Sequence, residues 1–182
     1  MPEKILAEQC APTLAGIKTG NLFSYHFESM EELRESLRRI NRQLQAKGIR
    51  IVPVQISGDR ALLYMYRPAR LEQDLKKPSA RQLLADCAYP EGNAQRLVSV
   101  LSRRLKSMGG FPHEIGLFLG YPPENVRGFV EHGGRDYKYR GLWKVYGDVS
   151  VARRSFEAFS RCTDYYVRQA RAGRSVLAMA RA

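Results

Sequence analysis

The stretch IRIVPVQISGDRALLYMYRP, residues 49–68, limits what this chain can fold into more than any other. Two runs rich in Ile, Val, Leu and Tyr flank Ser57-Gly58-Asp59, the composition of a tight turn between antiparallel strands. A lone two-stranded hairpin is marginal in water, so the rest of the chain must supply helices or further strands to cover it. Pro53 has no N–H to give to a ladder, which predicts that the first strand lies at a sheet edge or carries a bulge there.

The covering elements are legible on both sides. From Met30 to Lys47 the residues Leu33, Leu37, Ile40 and Leu44 recur at helical spacing, with Ser29 as N-cap, Glu32 as capping-box partner and Gly48 as the stop. Arg34, Arg38 and Arg42 form a second stripe on that helix, offset by Glu31 and Glu35. Leu22 to Tyr25 reads as a short strand, and residues 70–87 as one or two short helices broken near Pro78. Asn93 to Met108 is helical and closed by Gly109-Gly110. Ile115 to Leu119 reads as a short buried strand, Pro123 to Glu131 as a helix, Leu142 to Tyr146 as a strand, and Val151 to about Ala172 as a final helix. Strands interleaved with helices predict an α/β or α+β chain, a mixed β-sheet covered by helices, in one domain over residues 1–182.

Composition narrows the function classes. Hydrophobic residues make up 44% and charged residues 26% of the 182, which argues for a packed core. No apolar run approaches the roughly 18 residues a membrane span needs, and the N-terminus lacks the apolar core of a secretory signal. Cys10, Cys87 and Cys162 are far apart and odd in number, which excludes a disulfide framework and suits the cytoplasm. The net charge is +12, and residues 127–182 hold 12 Lys/Arg against 5 Asp/Glu. Such a surplus attracts phosphate ligands, nucleic acid or an acidic protein.

Three segments carry candidate chemistry. FPHEIGLFLGYPPENVRGF, residues 111–129, has the strand–Gly–helix outline of a phosphate-binding turn, but Pro122 and Pro123 remove the backbone donors such a turn needs. GYPPE is instead a stiff turn that opens a helix. His113 remains as an acid–base candidate, although neighbouring Glu114 points the other way on an extended chain. Cys10, read as lying where a first helical segment gives way to APTLAG, is a candidate nucleophile with Lys18 near it in sequence. A metal set of Cys10, His113, Glu114 and His132 lacks recognisable ligand spacing. In RDYKYRGLWKVYGD, residues 135–148, Tyr137, Tyr139, Trp143 and Tyr146 alternate with Arg135, Lys138, Arg140 and Lys144. Aromatic faces interleaved with cations suit nucleotides, flavins or single-stranded nucleic acid. Arg154, Arg161 and Arg168 recur every seventh residue on the last helix, a basic stripe of the kind that can lie along nucleic acid.

Taken together, CAPTLAGIKTGNLFSY, ALLYMYRP, FPHEIGLFLGYPPENVRGFVE, YKYRGLWKVYGD and FSRCTDYY resemble a family of functionally uncharacterised bacterial proteins, mostly from anaerobic Firmicutes, over residues 10–173. The resemblance implies a single-domain cytoplasmic protein and supplies no activity or cofactor. The residues themselves lead to an expected ligand pocket between Cys10–Asn21, His113–Tyr121 and Tyr137–Tyr146. There Lys18, Arg140 and Lys144 neutralise a small anionic ligand, a nucleotide or flavin-like molecule. Tyr139 or Trp143 stacks on it, Asn21 and Tyr121 line it, and Cys10 or His113 does any chemistry. A nucleic-acid surface on the basic C-terminal third, or docking to an acidic flavodoxin-like protein, are the alternatives.

Overall fold

A computed structural model of the chain describes residues 1–107 and 110–182. The first elements are α1 (Glu3–Leu14), β1 (Gly20–His26), α2 (Met30–Leu44), β2 (Arg50–Ser57) and β3 (Arg60–Tyr66). Then come α3 (Pro68–Leu75), α4 (Pro78–Asp86), α5 (Ala94–Ser107), α6 (Ile115–Phe118) and α7 (Pro123–Glu131). The chain closes with β4 (Tyr139–Arg140), β5 (Lys144–Val145), α8 (Val149–Arg171) and α9 (Val176–Met179). The fold is α+β, and its two sheets are antiparallel throughout rather than mixed. Among the described residues no helix is long and apolar enough to cross a membrane. The residues group into two compact units, Met1–Ala69 with Phe159–Ala182, and Arg70–Ala158.

In the first unit the sheet order is β1-β3-β2. The expected hairpin is β2–β3, with Ser57 paired to Arg60 and a two-residue loop in which Gly58 takes φ +57°, a conformation that favours glycine. Pro53 does lie on an edge strand, and the register shifts between Pro53 and Gln55 as a bulge. The same edge is closed by Asn41 of α2. Its side-chain oxygen accepts from Ile51 N at 2.9 Å while its nitrogen donates to Ile51 O at 2.8 Å, as a neighbouring strand would. Alternation sends Phe23, Tyr25, Ala61, Leu63 and Met65 to the face packed by α1, α2 and α9, where Leu6, Leu14, Leu33, Ile40 and Leu44 complete the core.

Two helix ends depart from the expectations. Ser29 caps α2 by accepting from Glu32 N, but the Glu32 carboxylate accepts from Tyr25 Oη at 2.9 Å and Ser36 Oγ at 3.1 Å. Only half of the capping box forms. The residues Ala11 to Leu14, expected as a turn, continue α1 with Pro12 inside it. Burial overrides the proline here: Leu6, Ala7, Cys10, Ala11 and Leu14 are all fully enclosed, and the Pro12 carbonyl accepts from both Ile17 N and Lys18 N.

The end of α1 meets Arg67, a buried guanidinium. Its Nε donates to Thr13 O at 2.8 Å, and one terminal nitrogen donates to Leu14 O at 3.0 Å and Arg181 O at 2.7 Å. The carbonyls of a helix end have no partner within the helix, and a cation there also faces the negative end of the helix dipole. The short α9 is held by similar means. Glu3 accepts from Leu177 N and Ser175 Oγ at its start, and Lys47 Nζ donates to Leu177 O and Ala178 O near its end.

The second unit is helical apart from the β4–β5 pair. Pro78 opens α4, Asn93 Oδ1 accepts from Arg96 N ahead of α5, and Leu97, Val100, Leu101 and Leu105 are buried as their spacing predicts. The predicted end of that helix at Met108 and Gly109 falls outside the described residues. Ile115 to Leu119 is not a strand. Residues 115–118 form the one-turn helix α6, tied by Leu117 N to Glu114 O and Tyr121 N to Gly116 O. A short apolar run fits either state, and here it buries Leu117 and Phe118 locally, with its backbone bonds made within the turn. Leu142 to Tyr146 is also overturned as a continuous strand: residues 141–143 turn, and only Lys144–Val145 pairs, with Val145 opposite Tyr139. Glu114 is buried and paired with Arg104 at 2.9 Å, and that guanidinium lies over the Tyr89 ring and donates to Cys87 O.

Replacing Arg67 by Met keeps most of its apolar length and removes the donors, so urea denaturation is expected to show a loss of about 3 kcal/mol. Arg67→Lys, with one charged nitrogen in place of the fork, is expected to lose less. Equal stability of the Met variant and the parent would show that the guanidinium does not organise this unit.

Candidate functional site

A cavity of about 350 Å³ lies within the second unit, built from the approach to α6, from α7 and from the β4–β5 turn. The turn shapes its wall. Gly141 N donates to Trp143 O, which presents the Trp143 ring against Tyr121, with ring centroids 4.6 Å apart and planes 29° from parallel. Phe156 of α8 meets the indole edge-on, with ring centroids 4.4 Å apart. Ile115, Gly116 and Val126 continue the apolar wall. A Cβ on Gly116 would come within 2.8 Å of Val126 and 3.0 Å of Tyr121, so glycine is what lets α6 approach α7 so closely. Phe111 and Leu142, 58% and 57% exposed, form an apolar lip.

Polar groups are few on this wall. Arg140 is exposed and lines the opening. Lys144 also lines it, but its ammonium already donates to Gly134 O and lies 5.0 Å from the Tyr137 ring centroid and 5.5 Å from that of Phe129. It fastens the β5 strand to the segment after α7. His113 is exposed at the rim with its ring edge-on to Phe129 at 5.0 Å. Asn125 is 4% exposed, and its Oδ1 accepts from Tyr146 N and Gly147 N, both at 2.8 Å. This contact ties α7 to the chain leaving β5.

Five of the residues singled out from sequence therefore line one cavity: His113, Tyr121, Arg140, Trp143 and Lys144. Tyr139 stands behind them, stacked on Phe156 at 6.3 Å with the Arg153 guanidinium 5.6 Å from its ring centroid. Cys10, Lys18 and Asn21 belong to the first unit, so the cavity is not the three-segment pocket expected from sequence. Asn21 Oδ1 accepts from Thr13 Oγ1 at 2.7 Å, linking β1 to α1. Asn125, Phe129 and the Phe111–Leu142 lip were not legible as site residues. An amide two positions after a proline pair reads as ordinary helix surface, and nothing local says that it faces a cavity.

Cys10 requires a correction. It lies inside α1, not at a helix end, and is fully enclosed; burial pushes its thiol pKa up, with Lys18 only partly opposing. Thiolate chemistry needs the reverse. Lys18 is also buried, its ammonium 5.9 Å from the Phe159 ring centroid, and burial lowers its pKa to about 8. Among the described residues no group of three or more His, Cys, Asp or Glu side chains is arranged to hold a metal ion.

The model of the family described as Protein of unknown function (DUF3793) matches residues 6–180. The chain belongs to this family. The DUF3793 match runs from within α1 to α9 and includes the cavity and Arg67 with its Thr13 and Leu14 partners. No curated protein and no solved structure matches the chain.

The buried Lys18–Cys10 neighbourhood has a pH signature. Lys18 titrates near 8 when folded against an ordinary 10.5, so above about pH 8 the unfolded chain binds more protons and stability rises with pH. Cys10 has the opposite sign: its folded pKa is raised, so above its ordinary 9.0 the folded chain keeps the proton and stability falls. The window left to Lys18 is pH 8 to 9. Over it the parent is expected to gain about 1 kcal/mol relative to Lys18→Met in paired urea titrations. Parallel pH profiles for the two chains would refute the burial of this lysine.

Proposed function

We propose that the cavity of the second unit binds a small planar aromatic molecule carrying an anionic group, of the nucleotide or flavin-like class. The observation that carries this reading is the Trp143–Tyr121 wall beside the exposed Arg140 at the opening. An aromatic wall takes the face of a ring, and a rim guanidinium takes a phosphate or carboxylate in a forked pair. The 350 Å³ volume is at the small end of ligand cavities, which run from roughly 300 to 1,000 Å³. That suits the ring entering and the charged group staying at the rim. His113, whose imidazole can both donate and accept, is the group placed for any proton transfer at the rim. Cys87 and Cys162, like Cys10, are free thiols, which fits a reducing cytoplasm where nucleotides and flavins are supplied.

The nucleic-acid alternative uses the basic C-terminal third, in which Arg154, Arg161 and Arg168 are exposed on α8. Glu157 and Asp164, also exposed, fall between them at helical spacing, so positive and negative charges alternate along the stripe. Such a face is largely self-neutralised. This weakens the case for a phosphate backbone there, and the cavity is the better-supported reading.

Trp143 is the only tryptophan of the chain, so its fluorescence reports on this wall alone. Flavin, uridine, cytidine, inosine and adenosine 5′-monophosphates should be titrated in turn, with calorimetry as a second readout. Saturable quenching by at least one is expected, weakened about tenfold by Arg140→Ala as one charge-assisted pair is lost. No change in fluorescence or heat with any of them would reject the pocket. Tight binding of a single-stranded oligonucleotide that falls steeply with salt would favour the alternative instead.

A further inference from the structure

Resting on that reading, we infer that Asn125 reads the edge of the bound ring and selects ligands that present a carbonyl there over ligands that present an amino group. The orientation of its amide is set by the protein. Two backbone N–H groups, of Tyr146 and Gly147, converge on one side-chain atom at 2.8 Å each. Only the oxygen of an amide can accept both. The nitrogen, with its two N–H donors, is thereby turned the other way.

That nitrogen makes no hydrogen bond to a described residue, and it is not one of the chain's fully enclosed partnerless polar atoms. Since Asn125 as a whole is 4% exposed and lines the cavity, its donors are open to the cavity. The contrast with Trp143 is informative. The Trp143 indole N–H also lacks a partner among the described residues, but it is enclosed and out of a ligand's reach. The wall therefore offers aromatic surface from Trp143 and Tyr121 and hydrogen-bond donors from Asn125.

The chemistry of recognition follows. With its oxygen committed to the backbone, Asn125 can donate to a ligand but cannot accept from one. A ring carbonyl oxygen, as in a uracil, hypoxanthine or isoalloxazine ring, completes the donor. An exocyclic amino group at the same position brings N–H against N–H and leaves the buried donor unpaired. Sites that hydrogen-bond a specific ligand atom reject analogues lacking it far more strongly than apolar contacts do.

The test uses two pairs of nearly isosteric ligands, uridine against cytidine 5′-monophosphate and inosine against adenosine 5′-monophosphate, followed by Trp143 fluorescence. The parent is expected to bind the oxo member of at least one pair tenfold or more tightly. Asn125→Asp keeps an oxygen for Tyr146 N and Gly147 N and replaces only the donor, so it should fold while losing or reversing the preference. In the parent, the Asn125 side-chain ¹⁵NH₂ resonances should move with uridine or inosine monophosphate and much less with the amino partner. That readout stands even if the Asp variant fails to fold. Binding without preference, a preference unchanged in the Asp variant, or side-chain amide signals that ignore the oxo ligand would each overturn the inference and leave the pocket intact. Failure of all these nucleotides and of flavin mononucleotide to bind would remove the pocket and the inference together.

Discussion

In the first unit one guanidinium gathers carbonyls from segments far apart in the chain. Arg67 donates to Thr13 and Leu14 at the end of α1 and to Arg181 in the C-terminal segment. The Thr13 and Leu14 carbonyls lie at the end of α1, where Gly16 N and Arg181 N also reach them, and the guanidinium adds a charged donor to each. A forked, permanently charged donor satisfies several at once. Because Arg67 directly follows β3, it joins the sheet to the end of α1, and α9 in turn is pinned by Glu3 and Lys47. Glu3 and Arg181 belong to opposite ends of the chain, so the unit closes through polar contacts at the margin of its apolar core.

The second unit solves a related problem with a neutral side chain. Its β4–β5 pair is only two residues per strand, too short to stand by itself. Asn125 holds the chain where it leaves β5, and Lys144 holds the strand itself through Gly134 O and two aromatic rings. These contacts fix the turn that carries Trp143, so the cavity wall is positioned by polar anchors on α7 and on the segment after it. Lys144 shows how a basic residue in an aromatic patch can be spent on structure, while Arg140, its cross-strand partner in the same hairpin, remains exposed.

Much of the fold was legible in the sequence. The α2 periodicity, the β2–β3 hairpin with its bulge at Pro53, the break at Pro78 and the limits of α7 all follow from local rules about capping, turns and proline. The misreadings share a cause. Ile115 to Leu119 and Leu142 to Tyr146 are short apolar or aromatic runs whose local preference is weak, and their state depends on which neighbours are present to pair with. The end of α1 was misread because proline and small residues favour a turn locally, whereas burial of Cys10, Ala11 and Leu14 keeps the helix going.

The aromatic–basic patch and the 111–129 segment were recognisable as unusual, and they do meet at one cavity. Their division of labour was not recognisable. The sequence by itself determined the helices with strong periodicity, the antiparallel hairpin, the helix-opening turn at Pro122-Pro123 and the basic charge, because each depends on residues close together in the chain. Only the tertiary structure decided that Cys10 is enclosed, that Lys144 is engaged while Arg140 is exposed, and that Asn125 is buried with its oxygen committed to Tyr146 N and Gly147 N. Those properties come from burial and from hydrogen-bond partners supplied by distant residues, and no local pattern encodes them.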